Sequence, residues 1–192
     1  KKGKNIWYSF KMELGEDLGA KYYDSELREV DPFRIKNPVD AARVFFAYLK
    51  YLIIKCCTEN NISIDILYAV SIPASFEANQ RKDLLDALMA NDMKVSKQAL
   101  IDEPNAAFIS YAVSRAAEDR PMFISPDYNS KVLVFDFGGG TCDISILEIG
   151  QSANGFFSKN IAISKFTKLG GDDIDRYICL LYTSPSPRDR TR

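Results

Sequence analysis

The segment Val132-Leu133-Val134-Phe135-Asp136-Phe137-Gly138-Gly139-Gly140-Thr141-Cys142-Asp143 concentrates the chemistry of this chain. An apolar run delivers a carboxylate, three glycines follow, then a hydroxyl, then a second carboxylate. The glycines lower the steric barrier to positive φ and let backbone N–H groups approach a phosphate closely. Gly138, Gly139 and Gly140 thus supply backbone donors, and Thr141 adds a hydroxyl donor to a phosphate oxygen. Asp136 and Asp143 are candidates to hold Mg2+, mostly through its waters, because Mg2+ dehydrates reluctantly. A plain two-residue hairpin does not need three consecutive glycines, so a phosphate loop is the better reading. Asp136-Phe137-Gly138 is not the D-F-G of a protein kinase. The chain has no histidine for an H-R-D loop and no preceding G-x-G-x-x-G. It is not a Walker A loop either, since no G-K-[ST] follows.

The absence of histidine also excludes Ser-His-Asp, Cys-His and His-metal chemistry within these 192 residues. Cys56, Cys57, Cys142 and Cys179 form no C-x-x-C pair and read as reduced thiols of a cytosolic protein. The 25 basic and 26 acidic residues nearly cancel, which gives no footprint for a nucleic-acid partner. No apolar stretch approaches the roughly 20 residues that span a bilayer, so no membrane association is expected.

These residues need elements to position them. Asn37-Pro38 opens a helix, with Asp40 in its first turn. Ala41, Val44, Phe45, Tyr48, Leu49, Leu52, Ile53 and Cys56 continue it on a broad buried face until Asn60-Asn61. A buried strand at 66–72 ends at Pro73, a helix follows at 76–90, and a brief strand at 98–101. A second helix starts near Asp102 with Pro104 just inside it. A polar loop at 119–130 leads into a buried strand at 131–136, then strands at 143–149 and 156–166. A helix opens at Asp172 after Gly170-Gly171. Residues 1–36 read as short strands and loops. The tail from Tyr182, with Pro185 and Pro187, cuts that last helix short and reads as an assembly scar. The order of elements predicts an α/β fold with mixed sheet.

Asp136 to Asp143 resembles the second phosphate hairpin of the actin-like ATPase superfamily, which has a ribonuclease H-like fold. Lys168-Leu169-Gly170-Gly171-Asp172-Asp173-Ile174-Asp175 is similar to a run that precedes a helix near the nucleotide phosphates in DnaK-type heat-shock chaperones. Ile72-Pro73-Ala74-Ser75-Phe76-Glu77-Ala78-Asn79-Gln80-Arg81 resembles those chaperones' V-P-A-Y-F-x-x-x-Q-R. Ile101-Asp102-Glu103-Pro104-Asn105-Ala106-Ala107 resembles their I-N-E-P-T-A-A. Four motifs in one order place the resemblance in that family, over roughly residues 38–179. It implies that ATP or ADP with Mg2+ is bound, that Glu103 positions the attacking water, and that Thr141 touches the γ-phosphate. Asp136 and Asp143 then belong to the metal and water network, Gly170 and Gly171 lie at the phosphates, and Pro73 and Arg81 relay nucleotide state to a partner domain.

The resemblance further implies slow in-line hydrolysis that switches a client-binding domain, with client polypeptides, a J-domain co-chaperone and a nucleotide exchange factor as partners. By it, residues 1–36 are a peripheral part of the first lobe, 37–118 its remainder with the crossover helix, 131–180 the start of the second lobe, and 181–192 a non-native tail. Phe137, Cys142, Ser75 and Asp102 depart from the family's usual residues, which suggests a divergent bacterial member. The family's first phosphate loop has no match here, and its phosphate-contacting lysine cannot be aligned in residues 1–36. The expectation is therefore one wall of an ATP site, inactive and poorly soluble alone. A filament-forming actin homologue, a small-molecule kinase of the same fold and a non-hydrolysing binding module are the alternatives.

Overall fold

The computed structural model describes residues 9–17, 27–28, 30–118, 130–152, 155–165 and 167–183. The chain divides into two units, Lys1–Ile109 and Ser110–Arg192, each described by itself.

In the first unit, a 3-10 turn at Phe10–Glu13 stands where short strands and loops were expected. Helix α1 runs Pro38–Glu59, and the Asn37 side chain accepts from the Asp40 N–H at 2.7 Å, as its cap position predicts. Asn61 takes φ 54° just past its end, where Asn tolerates the left-handed region. Strand β1 is Tyr68–Ile72, helix α2 Ala78–Met89 and strand β2 Val95–Asp102, and helix α3, Glu103–Ala117, starts in this unit and crosses its boundary at Ile109. Glu77 and Gln80 form a reciprocal capping box at the start of α2. β1 and β2 pair in parallel, with Ile72 opposite Asp102. Leu14, Ala41, Ala42, Ile72, Leu84 and Leu88 are among the buried apolar residues of this unit.

Two expectations about burial fail here. The face predicted to be buried along α1 is buried only at its start, and Phe45, Tyr48 and Leu52 are exposed. β1 is shorter than predicted and half open, with Leu67 just before it 97% exposed. The periodicity of a helix or strand states which face is apolar; burial requires something packed on that face. In the described residues α1 is packed by α2 and by the 3-10 turn, which reach only part of its length.

In the second unit, β3 (Ser130–Phe137), β4 (Cys142–Ser152) and β5 (Gly155–Ile163) form an antiparallel meander with β4 in the centre. The mixture of pairings thus lies between two sheets, one parallel and one antiparallel. Thr141, Asp143, Ser145, Leu147 and Ile149 alternate along one buried face of β4. The other face stays open: β3, predicted as a buried strand, leaves Leu133, Phe135 and Phe137 exposed, and the two phenyl rings stack 6.4 Å apart. Helix α4 spans Gly171–Thr183, so Tyr182 and Thr183 are helical where the tail was expected to stop the helix. The loop at 119–129 and the tail from 184 onward lie outside the described residues. Among the described residues, no helix is long and apolar enough to cross a membrane.

Candidate functional site

In the second unit the glycine loop is a four-residue connection between β3 and β4. Phe137 pairs with Cys142, and the Gly138 N–H donates to the Thr141 carbonyl at 2.9 Å to close the turn. The start of α4 packs against this loop. The Gly171 N–H donates to the Gly138 carbonyl at 3.0 Å, and the Asp172 N–H to the Gly139 carbonyl at 2.7 Å. A helix N-terminus carries such unsatisfied N–H groups, and here the loop's carbonyls take two of them. The Gly170 N–H donates to the Asp173 carboxylate at 3.0 Å.

This arrangement orients the loop. No described peptide bond is cis, and in a trans peptide the N–H points opposite to the C=O of the same unit. The carbonyls of Gly138 and Gly139 are turned toward α4, so the N–H groups of Gly139 and Gly140 point away from it, side by side. Two successive N–H groups aimed the same way form an anion-binding concavity. Gly139 has no heavy atom within 4 Å of where a Cβ would stand, so the loop is open there.

Asp136 and Asp143 are direct cross-strand partners, which places both carboxylates on one face of the hairpin. Asp136 is exposed, while Asp143 is only 5% exposed. Like charges opposite each other in a sheet are unfavourable unless a cation lies between or beside them. A pair of carboxylates suits Mg2+, which is usually held through one or two carboxylates and keeps several waters. Among the described residues no group of three His, Cys, Asp or Glu side chains gathers, so the donor set fits a hydrated cation and not a protein cage. Thr141 is 8% exposed and begins the same buried face.

The first unit holds the other predicted residues. Pro73 follows β1 and Glu103 follows β2, so both stand at the carboxyl end of the parallel pair, the end where open α/β sheets place ligands. Arg81 on α2 gathers this edge together. Its Nε donates to the Phe76 carbonyl at 3.0 Å, and its Nη2 to the Pro73 carbonyl at 3.4 Å, the Ala74 carbonyl at 3.3 Å and Asp102 Oδ1 at 3.0 Å. Arg81 is therefore not a solvated helix charge. It ties the turn after β1 to the residue preceding Glu103.

Glu103, at the first position of α3, pairs with Lys11 at 3.0 Å from Oε1 to Nζ. Sequence reasoning missed Lys11. It lies 92 residues from its partner, in a segment with no apolar rhythm, and no local signal marks it. The Arg81–Asp102 pair was also missed, although an acid just before Glu103 was visible. Pro73, Arg81 and Glu103 lie in one unit, Asp136, Thr141, Asp143 and the five glycines in the other.

Residues 40–184 match the family model described as Hsp70 protein. The "Heat shock cognate HSP70 protein" of Trypanosoma brucei brucei is 36% identical over 169 residues, covering 88% of this chain and 22% of that protein. The "Chaperone protein dnaK" of Cyanidioschyzon merolae is 39% identical over 109 residues, 57% of this chain and 15% of that one. The "Chaperone protein DnaK" of Nitrosopumilus maritimus is 37% identical over a stretch of the same coverage. The chain thus spans less than a quarter of the length of the curated relatives it matches.

Proposed function

Because the chain belongs to the Hsp70 protein family and carries part of its actin-like ATPase fold, we propose that it holds the phosphates of ATP and ADP and takes part in ATP hydrolysis in a molecular chaperone. The observation that carries this reading is the orientation of the glycine loop. With its carbonyls held by α4, the Gly139 and Gly140 N–H groups are preorganised toward an anion before any ligand arrives. Thr141 donates to the γ-phosphate. Asp136 and Asp143 hold a hydrated Mg2+, which supplies charge neutralisation at the phosphates when bound. Glu103, which pairs with Lys11 at 3.0 Å, orients the attacking water. The chemistry is in-line attack with catalysis by positioning and charge.

Gly170 and Gly171 act on this site through the loop's shape, since their N–H groups are given to Asp173 and Gly138. Pro73 and Arg81 carry the nucleotide state to a client-binding domain, supported by the direct contact between them. Client polypeptides, a J-domain co-chaperone and a nucleotide exchange factor are the partners of that cycle. The four free thiols support a cytoplasmic location. The chain alone is expected to turn over no ATP.

The test is steady-state ATP hydrolysis and ATP binding by the whole protein. Glu103→Gln is expected to lower kcat by about a hundredfold while ATP still binds, the size of loss typical when a positioned group is removed. Asp143→Asn is expected to weaken Mg2+-dependent binding and to leave binding in EDTA unchanged. Full activity in both variants would overturn the reading.

A further inference from the structure

We infer that Asn79 and Asp83 form a latch that docks residues 9–15 onto α2 and thereby sets Lys11 against Glu103. Both backbone polar groups of Gly15 are grasped by this one helix. The Gly15 N–H donates to Asp83 Oδ2 at 2.9 Å, and Asn79 Nδ2 donates to the Gly15 carbonyl at 2.9 Å. Asn79 and Asp83 are four residues apart on α2, so they share a face of the helix. The seat is shaped for glycine. Gly15 has φ +79°, and a Cβ there would stand 2.7 Å from the Gln80 Cγ and 2.8 Å from the Asn79 Nδ2. Leu14, next to it, is 1% exposed, and the 3-10 turn Phe10–Glu13 joins it directly to Lys11. The segment between the latch and Lys11 is therefore short and pinned.

The same helix fixes the other partner of the pair. Arg81 holds Asp102, the residue before Glu103. α2 thus holds Gly15, four residues from Lys11, through Asn79 and Asp83, and holds Asp102, next to Glu103, through Arg81. An unsupported pair between a 46%-exposed lysine and a 22%-exposed glutamate would be weak, because ordering a lysine side chain opposes the small gain of an exposed ion pair. The latch removes part of that penalty by fixing the lysine's backbone in advance. Asn79 and Asp83 are positioning residues, and their effect on hydrolysis rests on the role proposed above for Glu103.

The test is limited acetylation of the whole protein without nucleotide, read lysine by lysine by mass spectrometry. Asp83→Ala and Asn79→Ala are each expected to raise Lys11 acetylation about three- to tenfold, the range set by one lost hydrogen bond. Asp83→Asn keeps an oxygen for the Gly15 N–H and should restore the wild-type rate. Asp86→Ala, which removes the partner of Lys82 on the exposed side of α2, should leave Lys11 unchanged. Lys50 donates to the Asn91 carbonyl at 2.6 Å and reports the integrity of the α1–α2 contact. If Asp83→Ala also exposes Lys50, that variant has lost its fold, and Asn79→Ala, whose side chain is exposed, decides alone. Unchanged Lys11 acetylation in folded variants overturns the latch. In ATP hydrolysis the latch variants are expected to lower kcat about tenfold with little change in KM, as for a displaced catalytic group. Raised acetylation with undiminished kcat would leave the latch standing and remove Glu103 from the mechanism.

Discussion

A methyl group at Gly170 would stand 2.5 Å from the Gly139 carbonyl carbon and oxygen and 2.6 Å from the Gly140 nitrogen, whereas one at Gly139 would meet nothing within 4 Å. The two glycines therefore serve different ends. Gly170 allows the start of α4 to approach the loop backbone, and no flexible side chain is available there to yield. Gly170→Ala should push α4 off the loop and strip the Gly138 and Gly139 carbonyls of their donors. The expected loss is about 1–3 kcal/mol, the usual cost of forcing one carbon into a packed site. Gly139→Ala should leave unfolding within about 0.5 kcal/mol of wild type, as for a substitution in open space. Urea unfolding of the two variants checks this, and equal stabilities would remove the brace from the account. The same comparison bears on function, because a loop without its brace no longer holds two N–H groups in a common direction.

At the scale of elements, α2 carries the most varied duties. One face packs Leu84, Ala87 and Leu88 into the core, another holds Gly15, and Arg81 reaches the turn after β1 and the end of β2. Arg81→Ala is expected to cost about 1–3 kcal/mol, because it removes the charged donor shared by Asp102 and three carbonyls. Arg81→Lys should recover little of it, since an ammonium lacks the planar fork that serves Nε and Nη2 contacts together. A lysine variant as stable as wild type, by thermal unfolding, would mean that charge alone suffices. α1 and α2 were legible in the sequence because their signals are local: Asn37-Pro38 starts one, and the other follows directly on the strand that Pro73 ends. The glycine hairpin was legible because few structures need three glycines between two aspartates. The burial of β1, β3 and the outer face of α1 was not, since an apolar residue records a face and not its covering. Lys11 and the Gly15 latch were not legible either, because contacts between residues 64 to 92 positions apart leave no periodicity to read.

At the scale of the whole molecule, apolar side chains remain open in both units. Leu67 is 97% exposed and Tyr51 60% in the first, and Leu133 is 64% and Tyr182 84% in the second. Scattered apolar residues are normal on a soluble surface, but contiguous ones mark a face made to be covered. On the β3–β5 sheet the open residues are contiguous: Leu133, Phe135 and Phe137 alternate along β3, and Ile144, directly opposite Phe135, extends the exposed set onto β4. β3 and β5 are also the edges of their three-stranded sheet, and an exposed apolar edge invites pairing with another chain. This 192-residue chain alone is therefore expected to self-associate at micromolar concentration and to bind a hydrophobic dye. Replacing Leu133 and Phe135 together by threonine should shift it toward monomer in light scattering. Threonine keeps strand propensity, and neither side chain faces the buried side of the sheet, so the Asp136–Asp143 pairing should survive. A chain that is already monomeric, or a double variant that associates as strongly as wild type, would show that this face is not what drives association.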